Sequence, residues 1–436
     1  MMRERYVLLG LARARADWFR TVGQWATSAA LPAEFVRCVS ADEVRARLAT
    51  GRTFSALLVD AAVPGLDRDL VATAAASGCA VLVVDTVEAH RDWRGLGADA
   101  VLAPMFSRDE LLEVLAATSR PVSAAGTQVR AATPVLPAHP TGCLVAVTGT
   151  GGTGASTVAI ALAQGLAAEA SPGRRRDVLL ADLCRAADLA MLHDARALVP
   201  GIQEVVEAHR TGVPEPADVR AQTFEVPVRG YRLLLGLRRA RHWVTLRPRA
   251  LEAALDSLTR LADVVVADIE PDVEGEAETG SVDVEDRHAM SRAALERAGV
   301  VVVVGEGSMK GCFALVRVLA DLLDHGVAAD RLLPVLNRAP RNPRQRAEAT
   351  TAVATLLEAA AGEAATTLAP PLHLPVRRVD QALRDGVPLP QPLPGTLARA
   401  VDAMLDRAAP STPTSAREPE PVVPGRLGLF PDESRP

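Results

Sequence analysis

The sequence of 436 residues predicts an α/β protein in which two doubly wound parallel-sheet domains follow one another. Short apolar runs alternate with amphipathic segments along most of the chain, as strands and helices do in such sheets. A stretch rich in proline and small residues interrupts this alternation, and a glycine-rich loop between a strand and a helix follows it. We therefore predict a first domain at residues 1–119, a linker at 120–141, a second domain at 142–408 and a disordered tail at 409–436.

Five apolar runs in the first domain predict the strands of one sheet. Capping-box sequences precede two of the intervening helices, because Glu43 follows Ser40 and Glu110 follows Ser107 at the required spacing. Five β/α units in so short a span indicate a doubly wound parallel sheet. The predicted strands are Tyr6–Leu11, Phe35–Ser40, Ala56–Asp60, Ala80–Asp85 and Ala100–Ala103.

The second domain repeats the alternation on a larger scale. Its first strand leads directly into the glycine-rich loop, and a helix is predicted from Ser156 to Ala168 after it. A later helix opens at Ser308 and carries an apolar stripe suited to packing against the core or a second subunit. The predicted strands include Cys143–Thr148, Val178–Asp182, Tyr231–Leu235, Val264–Asp268, Val300–Val304 and Leu332–Leu336.

Composition and charge restrict the function classes. The net charge of −5 and the pI near 6.0 argue against a dedicated nucleic-acid binder. No apolar run approaches the roughly 18 residues of a membrane span, and the first residues lack the apolar core of a signal peptide. The five cysteines form no C-x-x-C pair, so neither a metal site nor a disulfide framework is expected. These features predict a cytoplasmic protein, with membrane contact at most peripheral.

The glycine-rich loop has the context of a phosphate-binding loop, in which successive backbone N–H groups form an anion nest at a helix start. The lysine of such loops is replaced by Ala155, and Lys310 is the only lysine of the chain. Arginine is too bulky and planar to enter the loop in its place. We therefore expect nucleotide binding with weak or absent hydrolysis. The residues assigned to nucleotide binding are Gly149, Thr150, Gly151, Gly152, Thr153, Gly154, Ala155, Ser156 and Thr157.

Other polar residues follow predicted strands at their carboxyl ends, where ligands bind in parallel sheets. Ser156 has the position of the hydroxyl that ligates Mg²⁺, and Asp268 ends a strand with the pattern of a Walker B carboxylate. We assign catalytic roles to Asp182 and Asp268, metal binding to Ser156 and Asp268, and adenine recognition to Asn337. The expected cofactors are ATP and Mg²⁺. Arg185, just beyond Asp182, is a hypothesis for a cation that reaches the phosphates.

A second interpretation of the loop is open. Gly149, Gly151 and Gly154 also fit the G-x-G-x-x-G fingerprint of NAD(P)-binding Rossmann enzymes. That fold places an acid about 20 residues further on to hold the ribose. Asp182 lies 28 residues beyond Gly154, and the Ser156-Thr157 pair favours a P-loop, so NAD(P) is the alternative ligand.

Several segments together resemble one family. The loop, VLLADLCRAADLAML, DVVVADIEP, LLPVLNR and LHLPVRRVDQALRDGVPLP resemble the MinD/ParA class of deviant P-loop ATPases, and within it the TadZ/CpaE branch and the actinobacterial septum-site-determining (Ssd) proteins. The resemblance covers nearly the whole chain. It implies a MinD-like P-loop domain, a homodimer around ATP, and a positional marker recruited to a pole or septum by division or Tad pilus partners. The two lysines of the class motif correspond to Thr150 and Ala155, and the second acid of its D-x-D to Cys184, which argues against efficient hydrolysis.

The first domain resembles a response-regulator receiver. The segment Phe54–Gly65 is similar to the surroundings of the phosphoacceptor aspartate, which is Asp60 here. Residues 12–15, Ala-Arg-Ala-Arg, replace the acidic pair that holds Mg²⁺, and Ala103 stands where a receiver has lysine before proline. Without the metal and the cation, phosphorylation of Asp60 is not expected. The resemblance implies a degenerate receiver-like domain that serves as a docking module.

The sequence thus predicts an ATP-binding positional or scaffold protein. A slow MinD-type ATPase that uses Asp182 and Mg²⁺ is one alternative, and an NAD(P)-binding Rossmann enzyme is the other. Whether ATP is hydrolysed, and whether the septum or the pilus is served, stays open at this point.

Overall fold

The computed structural model describes residues 5–13, 16–85, 91–122, 142–168, 176–362 and 367–408. The predicted tail and most of the predicted linker, residues 123–141, lie outside the described residues. Two sheets form in the described chain, one before the linker and one after it. The α/β class with a doubly wound domain followed by a larger parallel-sheet domain is confirmed.

The N-terminal sheet has five parallel strands and four helices among its described residues. The elements are β1 (Tyr6–Leu11), α1 (Asp17–Thr27), β2 (Ala33–Cys38), α2 (Ala41–Leu48), β3 (Ala56–Asp60), α3 (Arg68–Ala76), β4 (Ala80–Val84), β5 (Ala100–Leu102) and α4 (Arg108–Thr118). The strand order β2-β1-β3-β4-β5 is that of flavodoxin-like doubly wound sheets. Neighbouring strand residues face opposite sides: Leu8 packs with α1 and α4, and Leu9 packs with α2 and α3.

Two details of the first domain differ from the prediction. The described part of the connection between β4 and β5, residues 91–99, forms turns rather than a fifth helix. Trp93 and Leu96, both buried, cover the sheet there instead. The box at Ser107 is complete, but at the start of α2 the Glu43 carboxylate accepts from the N–H of Val39, one residue before the cap.

The second domain contains eight strands and twelve α-helices among its described residues. The elements are β6 (Cys143–Gly149), α5 (Ala155–Ala167), β7 (Val178–Leu183), α6 (Leu189–Leu192), α7 (Ile202–Thr211), α8 (Pro216–Ala221), β8 (Phe224–Val226), β9 (Tyr231–Leu234), a 3₁₀ helix (Ala240–Thr245), α9 (Pro248–Leu261), β10 (Val264–Ile269), α10 (Glu276–Thr279), α11 (Val282–Arg287), α12 (Ala289–Arg297), β11 (Ala298–Glu306), α13 (Met309–Asp324), a 3₁₀ turn (Ala329–Arg331), β12 (Leu332–Ala339), α14 (Pro343–Ala361), β13 (Leu372–Pro375), α15 (Asp380–Arg384) and α16 (Leu393–Ala408).

The strands of this domain form one sheet in the order β13-β12-β11-β6-β10-β7-β9-β8, in which all pairs except β8–β9 are parallel. Helices α5 and α16 cover one face, and α7, α9, α12 and α13 cover the other. Strand β6 lies in the interior, so the loop that follows it opens at the middle of the carboxyl edge. The fold therefore places the predicted phosphate loop between the ends of β10 and β11.

Three strands of this domain are among the departures from the predicted elements. β8 has three residues and β13 ends in Pro375, so neither carries the apolar run from which the other strands were predicted. β12 continues to Ala339, which places Asn337 inside the strand. The acidic run after Asp268 forms the short helices α10 and α11.

Helix α16 packs into the core with Leu397 and Val401 fully buried, so its apolar side is occupied by α5. Burial of each such leucine or valine side chain contributes roughly 2 kcal/mol to the stability of the folded protein. Among the described helices, none combines the length and the hydropathy that spanning a bilayer requires.

Helix α3 joins the two domains by packing against α7 and α9. The Arg68 guanidinium donates to the carbonyl of His209 at 3.0 Å and to that of Gly212 at 3.3 Å. The buried Asp67 carboxylate caps α3 and also pairs with Arg210 at 3.3 Å. These contacts fix the first domain on the face of the second that carries α7 and α9.

Candidate functional site

The loop between β6 and α5 has the backbone of an anion cradle. Gly152 and Gly154 have left-handed φ angles of 85° and 88°, which favour glycine. A Cβ at Gly151 or Gly152 would meet no atom within 4 Å, so the loop is open at these two exposed residues. Gly154 leads directly into α5, whose first N–H groups lack partners within the helix. This arrangement presents backbone donors and the positive end of a helix to a phosphate.

Bonds to neighbouring residues hold the loop in this shape. The hydroxyl and the N–H of Thr153 donate to the carbonyl of Thr150 at 2.7 and 3.2 Å. The Asn337 amide nitrogen donates to the carbonyl of Thr153 at 2.8 Å, and its oxygen accepts from the N–H of Arg338 at 2.9 Å. One amide hydrogen and one oxygen lone pair of Asn337 remain for a ligand. Asn337, which the sequence predicts to recognise adenine, thus also stabilises the conformation of the loop.

No lysine enters this site among the described residues. Thr150 and Ala155 are half-buried and uncharged, and Lys310 is exposed at the start of α13. Ser156 and Thr157 lie in the first turn of α5. Phosphate charge would therefore be met by backbone dipoles rather than by a side chain within the loop.

Arg338 is the cation that sequence reasoning missed at the loop. Its guanidinium donates to the carbonyl of Gly152 at 3.2 Å and lies 3.8 Å from the carboxylate of Glu306. Its φ of 51° turns it back towards the loop. The only signal in the sequence was its position after Asn337. Arg185, the cation proposed from sequence, instead pairs with Glu270 at 2.5 Å and Asp272 at 3.4 Å.

Asp182 and Asp268 are brought side by side beneath the loop, because they are paired residues of the adjacent strands β7 and β10. Asp182 is fully buried and Asp268 is 2% exposed. The Asp182 carboxylate accepts from the N–H groups of Cys184 and Leu189 at 3.2 and 3.0 Å. The Ser156 hydroxyl is close enough to the Asp268 carboxylate to favour its ionised form. The three residues predicted for metal and catalytic roles therefore converge on one point.

Burial governs the ionisation of this pair. Desolvation, followed by the negative charge of Asp268, raises the pKa of Asp182 to about 8. Desolvation also raises the pKa of Asp268 to about 7, although the nearby Ser156 hydroxyl acts in the opposite direction and lowers this pKa. Burial likewise raises the pKa of the Cys184 thiol, which donates to the carbonyl of Asp268 and stays neutral. Cys184 therefore cannot replace a second acid at its position.

The donor set fits a nucleotide with Mg²⁺. Among the described residues there is no group of three or more His, Cys, Asp or Glu side chains that would bind a metal by themselves. Mg²⁺ usually needs only one or two protein oxygens, because phosphates and waters complete its octahedron. The Ser156 hydroxyl and the Asp268 carboxylate are such oxygens, and the open glycine cradle adjoins them.

Asp60 of the first domain ends β3, and its carboxylate accepts from the N–H of Ala62 at 2.9 Å. The nearest strand ends carry Leu11 and Val84 rather than acids. The described contact of Asp60 is thus a local turn contact.

No protein-family profile and no curated protein sequence matches the chain. Similar solved structures include the septum site-determining protein MinD of Pyrococcus horikoshii OT3 complexed with Mg-ADP, at 18% identity, 62% coverage of this chain, 99% of that chain and TM-score 0.44. A Cyanothece McdA variant in complex with ATP gives 20% identity, 61% and 96% coverage and TM-score 0.43. The receiver domain of the sensor histidine kinase PA1611 of Pseudomonas aeruginosa PAO1 is 15% identical. That match covers 26% of this chain and 94% of the receiver domain, with a TM-score of 0.22. The function proposed next rests on the loop, the two aspartates and their contacts.

Proposed function

We propose that the protein binds ATP with Mg²⁺ and acts as a nucleotide-dependent positional scaffold with weak or absent hydrolysis. The observation that carries the proposal is the open glycine loop at the start of α5, with the Ser156 hydroxyl close to the buried Asp268 carboxylate. Backbone donors and the helix start supply affinity for phosphates. Bound Mg²⁺ would neutralise phosphate charge, and Ser156 and Asp268 are the residues that would hold it.

Weak hydrolysis follows from the charges that the site lacks. Removing one donor that stabilises transition-state charge typically costs about 10²- to 10³-fold in rate. Both loop positions that would carry lysine, Thr150 and Ala155, are neutral. Arg338 contacts the loop from outside, through the carbonyl of Gly152, and does not occupy either position. Ground-state binding through the backbone does not depend on these lysines.

A homodimer is proposed on the same edge of the sheet. Met309 is 91% exposed and Phe313 is 59% exposed at the start of α13, and Met191 is 68% exposed on α6. Helix α13 follows β11, which is adjacent to β6, and α6 follows β7, which lies two strands from β6 on its other side. Exposed apolar side chains around a ligand site are typical of protein interfaces. Sedimentation with and without ATP tests this: Met309→Glu should abolish nucleotide-dependent dimers, and Met105→Glu on the first domain should not.

A thermal-shift panel on the full chain tests the nucleotide assignment. ATP with Mg²⁺ should stabilise the protein, by about 2.7 kcal/mol at one hundred times its Kd. Ser156→Ala should lose the part of the shift that requires Mg²⁺, whereas Ser77→Ala, an exposed control, should keep it. A shift with NAD(P) and none with ATP would replace this proposal with the Rossmann alternative.

The buried pair of aspartates supports one second candidate, a slow ATPase. Asp182 next to Asp268 is suited to orient water beside the phosphates. We expect phosphate release at the background rate from the unmodified protein. Turnover that Asp182→Asn abolishes would establish the slow ATPase instead. Ala155→Lys tests whether the missing lysine at this position alone causes slow hydrolysis. A gain of about 10²-fold in the rate of phosphate release would show that it does.

More specifically, we propose that the protein belongs to the TadZ/CpaE branch, which includes the Ssd proteins. Its partners would then be proteins of the division septum or of the Tad pilus. This assignment rests on the resemblance of the loop, of the strand ending at Asp182 and of the segment from Leu372. A fluorescent fusion should form foci at a pole or septum and lose them on Ser156→Ala. Uniform fluorescence of the parent protein would count against a positional role.

A further inference from the structure

One cavity of the second domain carries only positive charge in its lining. It has a volume of about 530 Å³ and its lining comprises Ala339, Pro340, Arg341, Val376, Arg377 and Arg378. Four other cavities in the described part of the chain each include at least one aspartate or glutamate in their lining. Three guanidiniums without an acid around one cavity indicate a site for an anion.

The charge of this arginine cavity is not compensated by described neighbours. The ion pairs in this corner join Arg338 to Glu306 and Arg344 to Glu348, and neither includes an arginine of the lining. The Nε atom of Arg377 is buried and has no hydrogen-bond partner. A buried polar atom without a partner costs free energy, which a bound acceptor would recover. Arg346 adds a further guanidinium close by, since it donates to the carbonyl of Pro340 at 2.7 Å.

The cavity adjoins the phosphate loop on the carboxyl edge of the sheet. It lies at the ends of β12 and β13, where Ala339 pairs with Pro375. In the same strand β12, two residues before Ala339, Asn337 donates to the carbonyl of Thr153 in the loop. Strand β12 thus contacts the phosphate loop through Asn337 and lines the cavity through Ala339, two residues further on.

We propose that the arginine cavity is a second anion subsite, which selects nucleotides that carry a phosphate on the ribose in addition to the 5′ chain. This inference rests on the proposed nucleotide site. The volume lies within the range of small-molecule sites, which is about 300–1,000 Å³, so a small ligand rather than a macromolecule is favoured. Ala339, Pro340 and Val376 supply apolar surface for the nucleoside, and the guanidiniums supply paired donors for a phosphate.

Calorimetric titration of the full chain tests the subsite with ADP, its 2′-phosphate and 3′-phosphate derivatives, and inorganic phosphate. At least one ribose-phosphorylated derivative should bind about tenfold more tightly than ADP, because it gains charge-assisted hydrogen bonds. Arg377→Ala with Arg378→Ala should remove this preference and leave the affinity for ADP unchanged. The matched control is Arg344→Ala with Arg399→Ala, two exposed arginines outside the lining, which should keep the preference.

The outcomes separate this inference from the proposed function. If ADP binds but the derivatives gain nothing, or the double variant keeps the preference, the subsite is refuted and the nucleotide site stands. If inorganic phosphate binds and Arg377→Ala with Arg378→Ala abolishes that binding, while the derivatives bind no more tightly than ADP, the cavity holds free phosphate and the proposal fails. If no adenosine nucleotide binds, the proposed function fails and this inference fails with it.

Discussion

Removing the buried carboxyl group of Asp268 should change how the stability of the metal-free protein depends on pH. The pKa of Asp268 is raised to about 7 by burial, from an ordinary value of 3.8. The folded protein therefore holds a proton that the unfolded chain releases above about pH 4. Since the folded state binds more protons, the free energy of unfolding falls as pH rises, until the folded group also ionises near its own pKa.

The magnitude follows from the two pKa values. Between about pH 5 and pH 7 one such carboxyl group lowers the free energy of unfolding by about 2 kcal/mol, and the loss levels off above about pH 8. Asp268→Asn removes this contribution. It also removes the charge that helps to raise the pKa of Asp182, so the remaining slope should decrease further.

Denaturant unfolding in EDTA at a series of pH values measures the effect. The curve of unfolding free energy against pH should fall less steeply for Asp268→Asn than for the parent, by about 2 kcal/mol over the window from pH 5 to pH 7. Asp330→Asn, an exposed aspartate of the same domain, should run parallel to the parent. Equal slopes for Asp268→Asn and the parent would show that Asp268 is ionised in the folded protein, which would refute the account of the site as a protonated pair.

Two substitutions test other parts of the structure. Gly154→Ala should lower the free energy of unfolding by roughly 1–3 kcal/mol and remove the stabilisation by nucleotide, because the backbone has a left-handed φ of 88° and the new Cβ would lie 2.7 Å from the Asn337 amide. The control is Gly51→Ala, at a φ of 73° in open space, which should keep nucleotide binding in the same melting assay. Arg68→Ala should lower the free energy of unfolding by about 1–3 kcal/mol and weaken the contact of the first domain with α7, which would be measured as faster hydrogen exchange in α3. The control Arg20→Ala, at an exposed arginine, should leave this exchange unchanged. Unchanged exchange in Arg68→Ala would show that Arg68 does not hold the interface.

The sequence predicted the parts of the site whose chemistry is local along the chain. Glycine spacing after an apolar run indicated the loop, and an acid at the end of a buried strand indicated Asp268. The location of Asp182 and Asp268 at one edge of the sheet also followed, since both end parallel strands; their direct pairing depends on the strand order. The loop and this shared edge depend on the strand order only through the rule that all carboxyl ends share a side.

Other features depend on contacts between distant segments and gave no local signal. Arg338 reaches Gly152 only because β12 lies two strands from β6 and turns back at a left-handed residue. The arginine cavity forms where β13, a short strand ending in proline, pairs with β12. Arg185 illustrates the opposite case: its position after Asp182 suggested a phosphate contact, but Glu270 from the neighbouring strand end lies closer to it.

The raised pKa values of the two aspartates also explain how the site tolerates the loss of lysine. Two ionised carboxylates on adjacent strands beneath a loop with neutral Thr150 and Ala155 would repel each other and any phosphate group. Below about pH 7 the pair is instead largely protonated, as the pKa values of about 8 and about 7 require. The metal-free site is then nearly neutral and buried without a counter-ion. Binding of Mg²⁺ requires the Asp268 carboxylate to be ionised, so uptake of the nucleotide with its metal should release protons and strengthen as pH rises towards 8.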